Sequence, residues 1–314
     1  MRKKISLTIL LSFILLCQSI LFVSAQDAQE GYTWRVDTQN VSHLPRNFRT
    51  TSDSLKMTDE VKPSTQGLEQ LHESGSAQFS SLEFEQMLPK LKELTSGPIY
   101  IIDLRQESHG LLNGIGVSWY GDHNWANVGK KLTEVEADEN ARIKEALGKS
   151  ITISALDDNK KASNPQEIMV SSALTESEFV TSHGVKYFRI SATDHSWPSA
   201  ENIDRFIKFY KTLPKDAWLH FHCQAGEGRT TAYMIMYDMM RNGKSVSFDD
   251  IIKRQILIGG QDILKTKATK AKDAWKNELY EEKVQFITKF YGYVTQTPDD
   301  LPITWSEWLD KHKD

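Results

Sequence analysis

The sequence predicts an α/β layered fold with a mostly parallel sheet flanked by helices, and three observations carry that expectation. Short runs rich in β-branched and aromatic residues, PIYIIDLR (98–105), VKYFRI (185–190) and AWLHFH (217–222), read as buried strands. Helical patterns separate and follow them. The stretch from about 110 to 184 breaks this rhythm with Gly- and Trp-rich turns, and reads as a small β-rich insert.

From the N-terminus, Met1-Arg2-Lys3-Lys4 leads into the apolar run ISLTILLSFILLCQSILFV, which ends at the small pair Ser24-Ala25. Basic start, hydrophobic core and small-residue end predict a Sec-type signal peptide over 1–25, hence a secreted or periplasmic protein. A membrane span is the competing reading of so long a run, but its small-residue end favours cleavage, after which no stable membrane anchor is expected. Residues 26–44 are polar with little periodicity and read as a leader on the surface. Residues 45–314 form the main domain, interrupted at about 110–184 by the insert. Within the insert, GIGVSWYGDHNWANVG supplies turns, and ITISAL and EIMVSSALT supply strand-like runs. In SAENIDRFIKFYKTLP, Ile203, Phe206, Ile207, Tyr210 and Leu213 recur at helical spacing, with Ser199 as N-cap and Pro214 as stop. FDDIIKRQILIGG ends on Gly259-Gly260, a helix stop by the same logic.

The chain has 314 residues, enough to bury a core by packing alone. Its 42 acids against 38 Lys and Arg give a net charge of -4, and removing Arg2, Lys3 and Lys4 takes this to -7. That balance excludes a general affinity for nucleic acid or anionic membrane. An anionic ligand would have to be held by locally clustered bases. Of the two cysteines, Cys17 lies in the signal segment, so Cys223 has no internal disulfide partner. The nine histidines are scattered and there is no Cys pair, so neither a metal nor another cofactor is expected.

Cys223 stands in HFHCQAGEGRTTAYMIM (220–236), after a strand and before a helix. Backbone N–H groups converge at such a turn, where the positive end of the helix dipole favours anions, a thiolate included. Gly226 and Gly228 let the loop Gln224-Ala225-Gly226-Glu227-Gly228 turn its amides inward as a nest. Arg229 closes it with a planar fork suited to two phosphoryl oxygens. Thr230 can hydrogen-bond the thiolate. His222 either orients the loop or fills the strand's end, with orientation preferred to direct proton transfer. An inert buried thiol is the ordinary fate of a lone cysteine, but leaves the Cys-x5-Arg spacing, both glycines and Thr230 as coincidence.

HCQAGEGRT resembles the signature of the cysteine-dependent protein tyrosine phosphatase superfamily. The resemblance implies thiolate attack to a cysteinyl-phosphate, then hydrolysis, with an aspartic acid protonating the leaving oxygen. In ATDHSWPSAENIDRF that acid would be Asp194, otherwise an ordinary loop carboxylate. TDHSWP, LPRNFRT (44–50), DLRQESHG (103–110) and WYGDHNWANVGK (119–130) narrow the resemblance to the protein tyrosine phosphatase-like phytases, from about residue 44 to 294. These imply a phosphatase α/β core with a small partial β-barrel, and myo-inositol polyphosphates as small-molecule substrates. Lys276, Tyr280 and Lys283 lie at i, i+4 and i+7 on one helical stripe, which reads either as a solvated face or as a pocket flank. The resemblance selects the flank, and implies further phosphate contacts from Arg49, Lys160 and His195, with Arg105 as a structural ion-pair member.

Glu227, acidic within the loop, and Asn159, beside Lys160, depart from the family's pattern and bear on rate and affinity. A phosphotyrosine or phosphoinositide phosphatase using the same loop is the alternative, although no Lys-Asn-Arg-Tyr segment is present. A non-catalytic phosphate-binding module is a third class, opposed by the joint presence of nucleophile, arginine and acid.

Overall fold

The computed structural model describes residues 31–56 and 62–313; the signal segment lies outside the described residues. A five-stranded sheet runs in the order β10 (Lys186–Arg189), β4 (Ile99–Asp103), β11 (Trp218–His222), β3 (Glu73–Ser76), β2 (Arg49–Thr50). Its first four strands are parallel and β2 is an antiparallel edge. The sheet is therefore mostly parallel, and β11 sits at its centre.

Helices cover both faces. On one side α1 (Ser81–Leu94), opened by a Ser80–Glu83 capping box, packs Phe84, Met87 and Leu91 against the sheet. On the other lies α5 (Gly228–Asn242), buried along almost its whole length. Around it pack α4 (Ala200–Tyr210), α6 (Phe248–Leu257), α7 (Asn277–Gln296) and α8 (Trp305–Lys311). Ser199 caps α4 by accepting from the amide of Asn202. Phe206, Phe221 and Tyr233 meet edge to face under α5 and are fully buried, each contributing about 1.5–3 kcal/mol through lost apolar surface.

The second sheet has six strands: β8 (Ala162–Met169), β7 (Ser150–Leu156), β1 (Thr33–Thr38), β6 (Ile115–Tyr120), β5 (His109–Leu112), β9 (Ala173–Thr175). It packs on α2 (Leu132–Ala146) through Val117, Ile143, Ile151 and Ile153. The insert is thus β-rich, but its sheet is not made from residues 110–184 alone. Strand β1, within the stretch read as a polar surface leader, runs through the middle of it, antiparallel to β6 and parallel to β7. Trp34 pairs with Trp119, and both are buried. The leader reading fails because the apolar positions Trp34 and Val36 alternate with Arg35 and Asp37, a two-residue period rather than a helical one. The ladder ends at β8 and β9, which pair only with β7 and β5, so this is an open sheet.

Strand β3, Glu73-Ser74-Gly75-Ser76, is polar yet wholly buried. Its hydroxyls are spoken for: Ser74 and Ser76 bond the two ring nitrogens of His220, and Trp218 donates to Ser74. A Cβ on Gly75 would stand 2.7 Å from the Met234 sulfur and 2.8 Å from Thr230, so only glycine lets α5 lie this close.

Candidate active site

Strand β11 delivers Cys223, and α5 begins five residues later. The loop between them is held from outside by its carbonyls. Gln78 N–H donates to the Gln224 oxygen at 3.3 Å, Asn47 Nδ2 to Ala225 at 2.8 Å, and the Arg49 guanidinium to Gly226 at 2.8 Å. In a trans peptide the N–H opposes the C=O, so outward carbonyls turn the following amides toward Cys223. Gly226 has φ +73°, and a Cβ there would come within 2.4 Å of the backbone of Ser76 and Ala77. The Thr230 hydroxyl donates to Cys223 Sγ at 3.2 Å.

Arg229 is clamped by Glu107, with its two terminal nitrogens 2.9 and 3.0 Å from the carboxylate oxygens. Glu107 also accepts from Arg105 at 2.8 Å and from Asn124 at 2.9 Å. Arg105 in turn reaches Asp37, which reaches Arg35. Burial disfavours every charge in this chain, but the alternation compensates: Glu107 and Asp37 stay well ionised because Arg229, Arg105 and Arg35 outweigh the desolvation.

Asp194 follows β10 and sits 3.3 Å from Arg229 Nε. Its carboxylate accepts from Asn124 at 3.0 Å and from its neighbour's amide, and its carbonyl accepts from the Trp125 indole at 3.0 Å. Burial raises its pKa, but Arg229 and then His195 overcome this, so the net shift is downward. His195 shifts down as well: burial dominates, Asp194 opposes it, and Lys276, Arg229 and Lys283 add to it. Lys283 is lowered by burial despite Asp194 and Cys223 nearby.

One cavity of about 560 Å³ gathers most of the residues singled out from sequence. Cys223, Gln224, Ala225, Glu227, Gly228 and Arg229 form its floor; Asp194, His195, Lys160, Lys276, Tyr280 and Lys283 line its walls. Lys160 stands at φ +62° on the β7–β8 turn, and Lys283 lies over the Tyr280 ring. Gly226, Thr230 and His222 lie behind the floor, outside the lining.

Arg49 does not take the place expected of it. It is buried behind the loop, bonded to Asn47 and Gly226 carbonyls and to Thr231 Oγ1, and it does not line the cavity. Burial lowers its pKa to about 10, although Cys223, Glu73 and Glu227 hold it up. The arginine from the N-terminal part that does line the cavity is Arg35, with Lys270 and Lys272 also on the wall. Arg35 went unread because its strand was taken for leader. Lys272 donates to the Asp158 carbonyl across the cavity mouth. Trp275 lies tilted with its ring centre 4.0 Å from that of His123 and meets Trp125 and His195 edge-on, joining three turns around Asp194.

His222 meets an acid: its Nε2 is 2.7 Å from Glu176, at the start of α3 (Glu176–Ser182). Asp103, Glu176 and His222 offer atoms within 4.8 Å of one another, close enough for a cation. Protein groups already serve them, however. Tyr187 and Arg189 reach Asp103, Gln78 reaches Glu176, and His109 stands 3.4 Å from each carboxylate. The arrangement is a compensated ion network seated under Cys223.

A family model for PTP-like phytases, described by inositol hexakisphosphate, matches residues 102–241. The tandemly repeated protein tyrosine phosphatase-like phytase of Mitsuokella multacida superposes with TM-score 0.85 at 48% identity, covering 89% of this chain and 49% of that one. A PTP-like myo-inositol phosphatase from the same organism, in complex with myo-inositol-(1,3,4,5)-tetrakisphosphate, matches equally. A PTP-like phytase from Bdellovibrio bacteriovorus shares 34% identity at TM-score 0.69, over 88% of this chain and 94% of that one. Among curated proteins, the effector protein hopD2 of Pseudomonas syringae pv. tomato is 33% identical over 84% of this chain and 56% of its own length. The chain spans about half the length of hopD2 and of the Mitsuokella proteins.

Proposed function

This chain belongs to the protein tyrosine phosphatase-like phytase family, and from that premise we propose that it hydrolyses phosphomonoesters of myo-inositol polyphosphates, stepwise from the hexakisphosphate. The observation that carries the proposal is the charge of the cavity. One phosphate needs only the loop amides and Arg229, whereas Arg35, Lys160, Lys270, Lys272, Lys276 and Lys283 line the same space and, with Arg229, outnumber the carboxylates Asp122, Asp158, Asp194, Glu227 and Asp273 there. Such walls suit a ligand that carries several phosphates at once.

In the proposed reaction the Cys223 thiolate attacks phosphorus, the S–P bond forms, and the bond to the leaving inositol oxygen breaks. The inward amides and Arg229 hold the equatorial oxygens. Asp194 supplies the proton that the departing alkoxide needs. Arg229 depresses Asp194 in the structure; a phosphoryl dianion on the guanidinium offsets that cation, so the carboxyl gains its proton as substrate binds. In the second step the Asp194 carboxylate takes a proton from water, which attacks phosphorus, and Thr230 stabilises the departing thiolate. Export by the N-terminal signal completes the proposal, and Edman sequencing of protein recovered outside the cytoplasm tests it by a start near Gln26.

The functional test is phosphate release from myo-inositol hexakisphosphate at pH about 5, by wild type and Cys223→Ser. Release by wild type alone, with a loss on the order of 10⁴-fold or more in the variant, is the expected result. Hydrolysis of a phosphotyrosyl peptide but not of the inositol ester would overturn the substrate and keep the chemistry.

A further inference from the structure

A second cavity, of about 700 Å³, opens behind the acid loop and shares no lining residue with the first. Its size falls within the roughly 300–1,000 Å³ usual for small-ligand sites. Five cations, Lys130, Lys131, Arg205, Lys208 and Lys211, face two carboxylates there, in a chain whose overall charge is negative. Among the described residues, only Lys130 of the five pairs with an acid, Asp138. The ammonium groups of Lys131 and Lys208 have neither hydrogen bond nor ion pair among the described residues, whereas Arg205 donates to the Arg189 carbonyl and lies over the Phe188 ring, and Lys211 donates to the Leu301 carbonyl. One of the two carboxylates, Asp204, is occupied by the amide and hydroxyl of Ser306.

Two further features belong to this cavity. The first turn of α4, with Ser199 and Asn202, forms part of its wall, adding the positive end of an eleven-residue helix. Ser191, on the same wall, is 7% exposed, and its hydroxyl has no hydrogen-bond partner. A buried hydroxyl without a partner is unfavourable, and an acceptor in the cavity would relieve it once the Ser191 side chain rotates outward.

We propose that this cavity is a second binding site for a small phosphorylated anion, and that its occupancy acts on the catalytic acid. The connection is short. Thr193, in the wall, precedes Asp194 and donates to the Gln106 side chain at 3.0 Å. Gln106, also in the wall, precedes Glu107, the clamp on Arg229, and its carbonyl is held by Asn127. An anion in this cavity therefore lies against Thr193 and Gln106, each one residue from a group that sets the geometry of proton transfer. Phosphate is the product of the proposed reaction, so such a site would let product level adjust turnover.

The test has two arms, and the second does not depend on the inositol substrate. Calorimetric titration of full-length Cys223→Ser with myo-inositol hexakisphosphate is expected to show two equivalents bound. Adding Lys131→Glu and Lys208→Glu, both exposed, removes one equivalent or weakens it at least tenfold, while the other persists. In the kinetic arm, inorganic phosphate inhibits wild-type hydrolysis of an aryl phosphate with a fall in apparent kcat as well as a rise in KM. In Lys131→Glu/Lys208→Glu the fall in kcat disappears and inhibition becomes purely competitive. Lys131→Gln/Lys208→Gln gives the same result with less perturbation of charge. A single equivalent in Cys223→Ser, or an inhibition pattern unmoved by either pair, would overturn the proposal.

Discussion

Behind Cys223 the charged groups are buried and matched, whereas on the rim in front of it several stand exposed on turns. The rear chain Asp37–Arg105–Glu107–Arg229 has side chains 0–3% exposed, each bonded to the next at 2.8–2.9 Å. On the cavity rim, Lys160, Lys270 and Lys272 are exposed and come from the β7–β8 turn and the segment before α7. The difference separates two jobs. A reacting phosphorus needs fixed donors, which only a packed, fully compensated network can hold still. Reading a many-phosphate ligand needs reach and charge, which long side chains on turns supply.

The largest effect that would break this division is at its boundary, on Asp194. Asp194→Asn is expected to cut kcat by about 10²–10⁴-fold and to flatten the alkaline limb of the pH–rate profile. An unchanged alkaline limb would take the acid role from it. Because Arg229 lowers its pKa, the protonated form is favoured toward acid, and the optimum should lie on the acid side of neutral.

Glu107→Gln probes the rear network. It keeps the shape but removes the charge that orients Arg229, with an expected loss of about 10-fold to 100-fold in kcat on every phosphomonoester tested. It also costs several kcal/mol of stability, since Arg229 is left buried and under-compensated. Chemical denaturation measures the second effect. Equal loss on aryl phosphate and inositol phosphate is the signature of a positioning role.

Arg35 and Arg49 sharpen the comparison further. Arg49→Met should lower turnover of both substrates by a common factor, because it loosens the loop carbonyl at Gly226. Arg35→Met should raise KM for the polyphosphate by about tenfold and change aryl phosphate turnover much less, since Arg105 still compensates Asp37. The reverse pattern would exchange their assignments.

The smallest expected effect on activity, and a distinct one on stability, comes from His109 beneath the loop. Burial lowers its pKa, but Asp103 and Glu139 overcome this and lift it to about 10. A raised value means that the charged ring stabilises the fold fully below pH about 6.5, and that this contribution is lost as pH climbs toward about 10. Thermal denaturation of wild type against His109→Gln between those limits should show the gap narrowing as pH rises.

Much of the molecule was legible in order of sequence. The strands 99–103, 186–189 and 218–222 and the Ser199 cap stood out because apolar periodicity and capping are local properties. The loop residues were legible too, since strand, turn and helix follow one another in the chain. Strand β3 escaped notice because its four residues are polar, and become strand-like only when His220 and Trp218 satisfy their hydroxyls. Strand β1 escaped because it pairs with segments about 80 to 120 residues away.

By itself, then, the sequence determined the Cys-x5-Arg loop, the strand–helix alternation around it and the family, all carried by neighbours in the chain. Only the tertiary structure decided which arginine lines the cavity and which supports the loop, that Glu107 clamps Arg229, and that a second cationic cavity lies behind the Asp194 loop. Those outcomes depend on burial and on partners far apart in sequence. The same guanidinium is a ligand contact or a strut according to which side of the loop the packed sheet leaves it on.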